Sequence, residues 1–83
     1  MKVTVKFFTT LREITDKKEE QIESSSALTV NELLSSLSEE YGRTFVEYVY
    51  DKRGKARNYL QFLINGKSIT TLRGFETKLK EGD

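Results

Sequence analysis

The stretch Leu28-Thr29-Val30-Asn31-Glu32-Leu33-Leu34-Ser35-Ser36-Leu37-Ser38-Glu39-Glu40-Tyr41-Gly42 decides how the rest of the chain is read. Thr29 is a favoured helix N-cap, and Glu32, three residues on, completes a capping box in which each side chain takes a backbone donor left open at the helix start. Leu28 and Leu33 are spaced for a hydrophobic staple across that cap. Val30, Leu33, Leu34, Leu37 and Tyr41 recur at helical spacing as one apolar stripe, with Ser35, Ser36, Glu39 and Glu40 on the other side. Gly42 stands where a left-handed residue ends a helix. The pattern predicts a helix over Val30 to Tyr41 whose single stripe a sheet must cover.

Upstream, Lys2 to Thr9 alternates as a half-buried strand: Val3, Val5 and Phe7 face one way, Lys2, Thr4, Lys6 and Phe8 the other. Thr10 to Asp16 reads as a turn that points Leu11 and Ile14 back to the core. Glu19 to Ser24 reads as a short edge strand around Ile22, its charges discouraging pairing with another chain. Downstream, Arg43 to Tyr50 fits a helical turn or a strand equally well. A polar loop follows from Asp51 to Asn58. Tyr59 to Asn65 alternates again, with Leu60, Phe62 and Ile64 on one face and Tyr59, Gln61 and Leu63 on the other. Asn65-Gly66 is a strong hairpin signal, since both residues tolerate positive φ. Lys67 to Thr70 is the expected return strand with Ile69 inward. Thr71 to Leu79 is expected to hold a tight turn or short helix packing Leu72, Phe75 and Leu79 inward. The fold class is therefore α+β, a mixed sheet wrapped around one main helix. Its expected core is Val3, Val5, Phe7, Leu33, Leu34, Leu37, Leu60, Phe62, Ile64, Ile69 and Leu79.

Composition narrows the function. The 83 residues make one small domain, 36% hydrophobic and 33% charged, with four Tyr and five Phe to anchor a core. The chain has no Cys and no His, which removes disulfides, thiolate nucleophiles, the commonest general base and the usual zinc ligands. An enzyme, a metal site and a bound cofactor are all unexpected. Net charge is +1, from 14 basic and 13 acidic residues, and offers no global field for nucleic acid or an anionic membrane. No apolar run approaches the roughly 20 residues that span a bilayer, and the start lacks the apolar core of a secretory signal, so a cytoplasmic address is expected.

Local clusters of charge carry little chemistry. Lys52, Arg53, Lys55 and Arg57 surround Gly54. Phosphate or RNA contact is one reading, and a solvated loop is the preferred one, because only Tyr50 and Tyr59 interleave aromatically. Neither Gly-rich phosphate motif is present. Glu19-Glu20 and Glu39-Glu40 are adjacent pairs whose side chains diverge on a strand or helix, a poor basis for paired-carboxylate catalysis. Phe8 and Leu63 are more informative, being apolar on the solvent side of strands whose other sides fill the core. They read either as a partner surface or as residues covered by another part of the chain.

The element order is that of the β-grasp, or ubiquitin-like, fold. Val3-Thr4-Val5-Lys6-Phe7-Phe8-Thr9-Thr10-Leu11-Arg12-Glu13 resembles the strand and Leu-Arg-Glu turn opening the MoaD/ThiS-type sulfur carriers. Leu28 to Leu34 resembles their helix start, and Leu63-Ile64-Asn65-Gly66-Lys67-Ser68-Ile69 their central hairpin. Leu72-Arg73-Gly74-Phe75-Glu76-Thr77-Lys78-Leu79-Lys80-Glu81-Gly82-Asp83 is similar to the segment before their last strand, especially in archaeal MoaD-like modifier proteins. The resemblance implies a carrier, not an enzyme. Its C-terminal Gly-Gly is adenylated by an E1-like enzyme and converted to a thiocarboxylate. Sulfur then passes to the large subunit of molybdopterin synthase, or to acceptors in thiamine or tRNA thiolation, and some archaeal members become linked to lysines of target proteins. It also implies that Phe8, Arg12 and Leu63 dock those partners.

One departure stands out. The family continues past the Gly-Asp turn into an apolar strand and a Gly-Gly tail, whereas these residues stop at Asp83, so a domain truncated before its last strand is the expectation. A β-grasp interaction module without an activatable tail is the alternative, and a small RNA-binding domain using the basic loop is a third reading.

Overall fold

The computed structural model describes residues 1–57 and 60–83. In chain order it contains β1 (Lys2–Lys6), α1 (Thr10–Thr15), β2 (Glu19–Glu23), α2 (Val30–Tyr41), α3 (Arg43–Val49), β3 (Leu63–Ile64) and β4 (Lys67–Ser68), then two 3-10 turns at Ile69–Thr71 and Gly74–Glu76. The helix expected from the capping pattern has those same bounds. Thr29 Oγ1 accepts the Glu32 N–H at 3.1 Å, and a Glu32 carboxylate oxygen accepts the Thr29 N–H at 2.9 Å. Gly42, at φ 78°, closes the helix by donating to the Ser38 carbonyl at 2.9 Å.

The stretch expected to be a turn after β1 forms the helix α1, ended by Asp16 in the left-handed region. Thr15 is buried there, its hydroxyl donating to the Leu11 carbonyl at 2.9 Å. The ambiguous stretch after Gly42 is helical. Phe45 and Val49, four residues apart and so on one face, become the most buried side chains of the described chain, at 1% and 0% exposed. The remaining core is Val3, Phe7, Val30, Leu34, Leu37, Ile69 and Leu79, while Val5, Leu33, Leu60, Phe62 and Ile64 are only half-buried against it. Leu72, expected inward, is 43% exposed. The 3-10 turn at Ile69–Thr71 buries Ile69 and carries the chain outward before Leu72.

The sheet is divided. β1 pairs antiparallel with β2, Val3 opposite Ile22, and β3 pairs antiparallel with β4. The second strand is far shorter than Tyr59 to Asn65, and Tyr59 lies outside the described residues. Its ladder continues only to the bond from Ile69 N–H to the Phe62 carbonyl at 3.0 Å. Ser68 Oγ then accepts the Thr70 N–H, turning the return chain into a 3-10 helix and leaving residues 60–61 no partner in β4. In place of the one mixed sheet expected there are two separate two-stranded antiparallel sheets, and the last residues lie beside β1 without forming a strand. Gly82 N–H donates to the Lys2 carbonyl at 2.9 Å, and Thr4 N–H to the Asp83 carbonyl at 2.7 Å, both segments ascending together. The Asn65 amide donates to the Asp83 carboxylate at 3.0 Å, so Asp83 connects the edge of β1 to the turn of the second hairpin.

Candidate partner-binding surface

Strand alternation sends Val3 and Phe7 inward and leaves Phe8 62% exposed. Thr9 then reverses the chain at φ 48°, ψ −118°, outside the regions comfortable for a β-branched residue. The reversal starts α1 and brings Arg12 back, its Nε donating to the Phe7 carbonyl at 3.4 Å. An exposed ring and a guanidinium therefore share the end of β1. Leu63, 53% exposed, lies on the other hairpin. Sequence patterning found the exposure of both apolar residues and a turn after the strand; the structure adds the strained reversal at Thr9 that returns Arg12 to the Phe7 carbonyl. Leu72 and Val46, the latter 36% exposed, are further apolar surface that sequence reading did not single out.

Elsewhere the fold joins one member of each acidic pair. Lys17 Nζ lies 3.3 Å from Glu20 and 3.9 Å from Glu40, and 5.8 Å from the centre of the Tyr41 ring. The Tyr41 hydroxyl donates to Glu20. Burial pushes the Tyr41 phenol up, and the bond to Glu20 with the charges of Glu20 and Glu40 adds to this. Burial would also raise Glu20, but hydrogen bonds with Tyr41, Glu40 and Lys17 outweigh it and hold that carboxyl below its ordinary value. Glu40 moves the other way, raised first by sharing a hydrogen bond with Glu20. The cluster ties β2 to the C-terminal end of α2. Among the described residues no group of three or more acidic side chains is placed to hold a metal ion, and no helix is long and apolar enough to cross a membrane.

The family model described as the ThiS family matches residues 5–83. The chain belongs to the ThiS family. This ThiS-family chain is 30% identical to Small archaeal modifier protein 3 of Haloferax volcanii over 83 residues, covering all of this chain and 88% of that protein. Its fold is similar to the crystal structure of SAMP1 from Haloferax volcanii, with a TM-score of 0.84 at 18% identity over 100% of this chain and 88% of that one. It is also similar to the solution structure of the Haloferax volcanii HVO 2177 protein, with a TM-score of 0.79 at 28% identity over 96% of this chain and 74% of the other. These likenesses establish the α+β ubiquitin-like fold.

Proposed function

We propose that the chain acts as a ubiquitin-like sulfur carrier or protein modifier. The observation that carries this reading is the family match over residues 5–83, supported by 30% identity to a small archaeal modifier. Such a protein works in the cytoplasm as a substrate. An E1-like enzyme joins the carboxylate of a C-terminal Gly-Gly to AMP from ATP, releasing pyrophosphate. A sulfur donor then displaces AMP and leaves a thiocarboxylate, or a target lysine displaces it and forms an isopeptide bond. The sulfur acceptor is the large subunit of molybdopterin synthase or an enzyme of equivalent role. The chain's lack of His and Cys suits this division, because the reacting groups belong to the partners. Phe8 and Leu63, exposed apolar residues on separate sheets, and Arg12, which bonds the Phe7 carbonyl, are the residues that dock those partners in this reading.

The deciding experiment uses a chain extended by an apolar strand and a Gly-Gly tail, incubated with an E1-like enzyme, ATP and a sulfur donor. Intact mass should rise by the exchange of one carboxylate oxygen for sulfur. An unchanged mass, with no pyrophosphate released, overturns the reading and leaves a β-grasp interaction module.

A further inference from the structure

The turn of the second hairpin sets a chemically labile dipeptide at a structural tie. Asn65 and Gly66, between β3 and β4, are exposed and hold φ of 51° and 84°. Asn65 Nδ2 donates to Asp83 Oδ1 at 3.0 Å, and Asp83 Oδ2 accepts the Lys80 N–H at 2.8 Å. The Asp83 carbonyl in turn accepts the Thr4 N–H at 2.7 Å. One side-chain amide therefore ties the hairpin carrying Leu63 to the segment lying along β1. Among the described residues the Gly66 N–H donates to no backbone carbonyl, and the space beside its Cα is open. β3 and β4 share only two paired positions, with one further bond from Ile69 N–H to the Phe62 carbonyl. A ladder so short opens locally at small cost, which frees the turn to change conformation.

We propose that Asn65-Gly66 is a site of spontaneous deamidation whose product releases this tie. The Gly66 nitrogen attacks Cγ of Asn65 as it gives up its proton. The Cγ–Nδ2 bond breaks, and ammonia leaves carrying that proton. Water then opens the cyclic imide at either carbonyl, leaving an aspartate or, with the backbone rerouted through Cγ, an isoaspartate. Water is the only co-reactant, and nothing is oxidised or reduced. Glycine has no Cβ to shield the attacking nitrogen or to restrict the turn. The other two asparagines precede Glu32 and Tyr59, whose side chains crowd the same attack, and Asn31 is held in the first turn of α2. The product has lost the donor and sets a second carboxylate against that of Asp83, so an attraction becomes a repulsion. Among the described residues no cation lies within ion-pair distance of Asp83 to offset it. The consequence for the fold does not depend on whether Leu63 docks a partner.

The test incubates the folded full chain at neutral and at mildly alkaline pH, then maps its peptides by a fragmentation that separates aspartate from isoaspartate. Conversion should appear at Asn65 before Asn31 or Asn58 and run faster at the higher pH, with NH2 exchanged for OH in the intact mass. Asn65→Asp should lower the thermal midpoint by about 4 °C or more, and by more than Asn65→Gly, which removes the donor without adding charge. High salt should narrow the gap between those two variants. Asn65→Asp joined with Asp83→Asn rebuilds the bond with donor and acceptor exchanged, and should recover most of the lost midpoint. Earlier conversion at another asparagine overturns the modification site. So does an Asn65 that stays intact in the folded chain while the urea-unfolded chain converts. A wild-type midpoint in Asn65→Asp, or no recovery in the exchanged pair, overturns the effect on the tie.

Discussion

The Tyr41 hydroxyl donates to the Glu20 carboxylate, tying the last residue of α2 to β2. The same ring meets Phe7 edge-on at 5.9 Å and stacks on Phe45 at 5.9 Å, so one side chain joins the first strand, the main helix and α3. Replacing Tyr41 by Phe keeps the ring contacts and removes the bond. Chemical denaturation should show a loss of about 1 kcal/mol, a charge-assisted hydrogen bond reduced by partial exposure. The phenol is raised in the folded state, so its contribution is complete below the ordinary tyrosine value of about 10 and lost as pH rises above it. The alkaline decline in stability should therefore be shallower in Tyr41→Phe. Part of it should remain through Tyr50, which burial raises against the opposing effect of its bond to Ser38. An unchanged alkaline limb would contradict the tie.

Thr9 holds φ 48° and ψ −118° with no side-chain hydrogen bond to the α1 start. Strain of that kind is typically about 1–3 kcal/mol for a residue with a Cβ. Thr9→Gly should raise the thermal midpoint despite glycine's extra freedom in the unfolded chain, and Thr9→Val should lower it. A fall in midpoint with Gly would show that the reversal at Thr9 is unstrained.

Leu37 and Phe45, at 2% and 1% exposed, mark the centre of the core. Leu37→Ala should cost roughly 2–5 kcal/mol and Phe45→Ala roughly 3–5. Val46→Ala, at the adjacent but 36% exposed position, should stay within about 0.5 kcal/mol. Urea midpoints check the contrast, and a small effect at Phe45 would place the wrong face of α3 inward.

For the proposed docking surface, Phe8→Ala should weaken binding of the E1-like enzyme at least about tenfold, since an interface aromatic lost on truncation commonly contributes 2 kcal/mol or more. Arg12→Ala should act less strongly, mainly on the association rate, and more so at low salt. Calorimetry and stopped-flow measurements on a chain with a Gly-Gly tail separate the two. Wild-type affinity in both variants would remove the surface from partner recognition.

How much of this was legible depends on how local each determinant is. The Thr29–Glu32 box, the apolar stripe to Tyr41 and the Asn65-Gly66 turn all act within a few residues and stand in the structure as read, while Gly42 ends the helix at positive φ but, with ψ −151°, outside the left-handed helical conformation expected of it. Alternation along β1 likewise foretold that Val3 and Phe7 are buried and Phe8 exposed. Tertiary structure decided the rest. The stretch after Gly42 could satisfy helix or strand periodicity, and helix prevailed where Phe45 and Val49 reach the core together. β3 shortened because its ladder partner turned away after Ser68, information absent from residues 60–64 themselves. The meeting of Glu20, Glu40, Tyr41 and Lys17, and of Arg12 with the Phe7 carbonyl, likewise follows from the path of the chain. Hydrogen bonds and caps between near neighbours are written into sequence order; contacts between distant residues exist only once the backbone has closed the distance, and it is packing that chooses among the paths local preference allows.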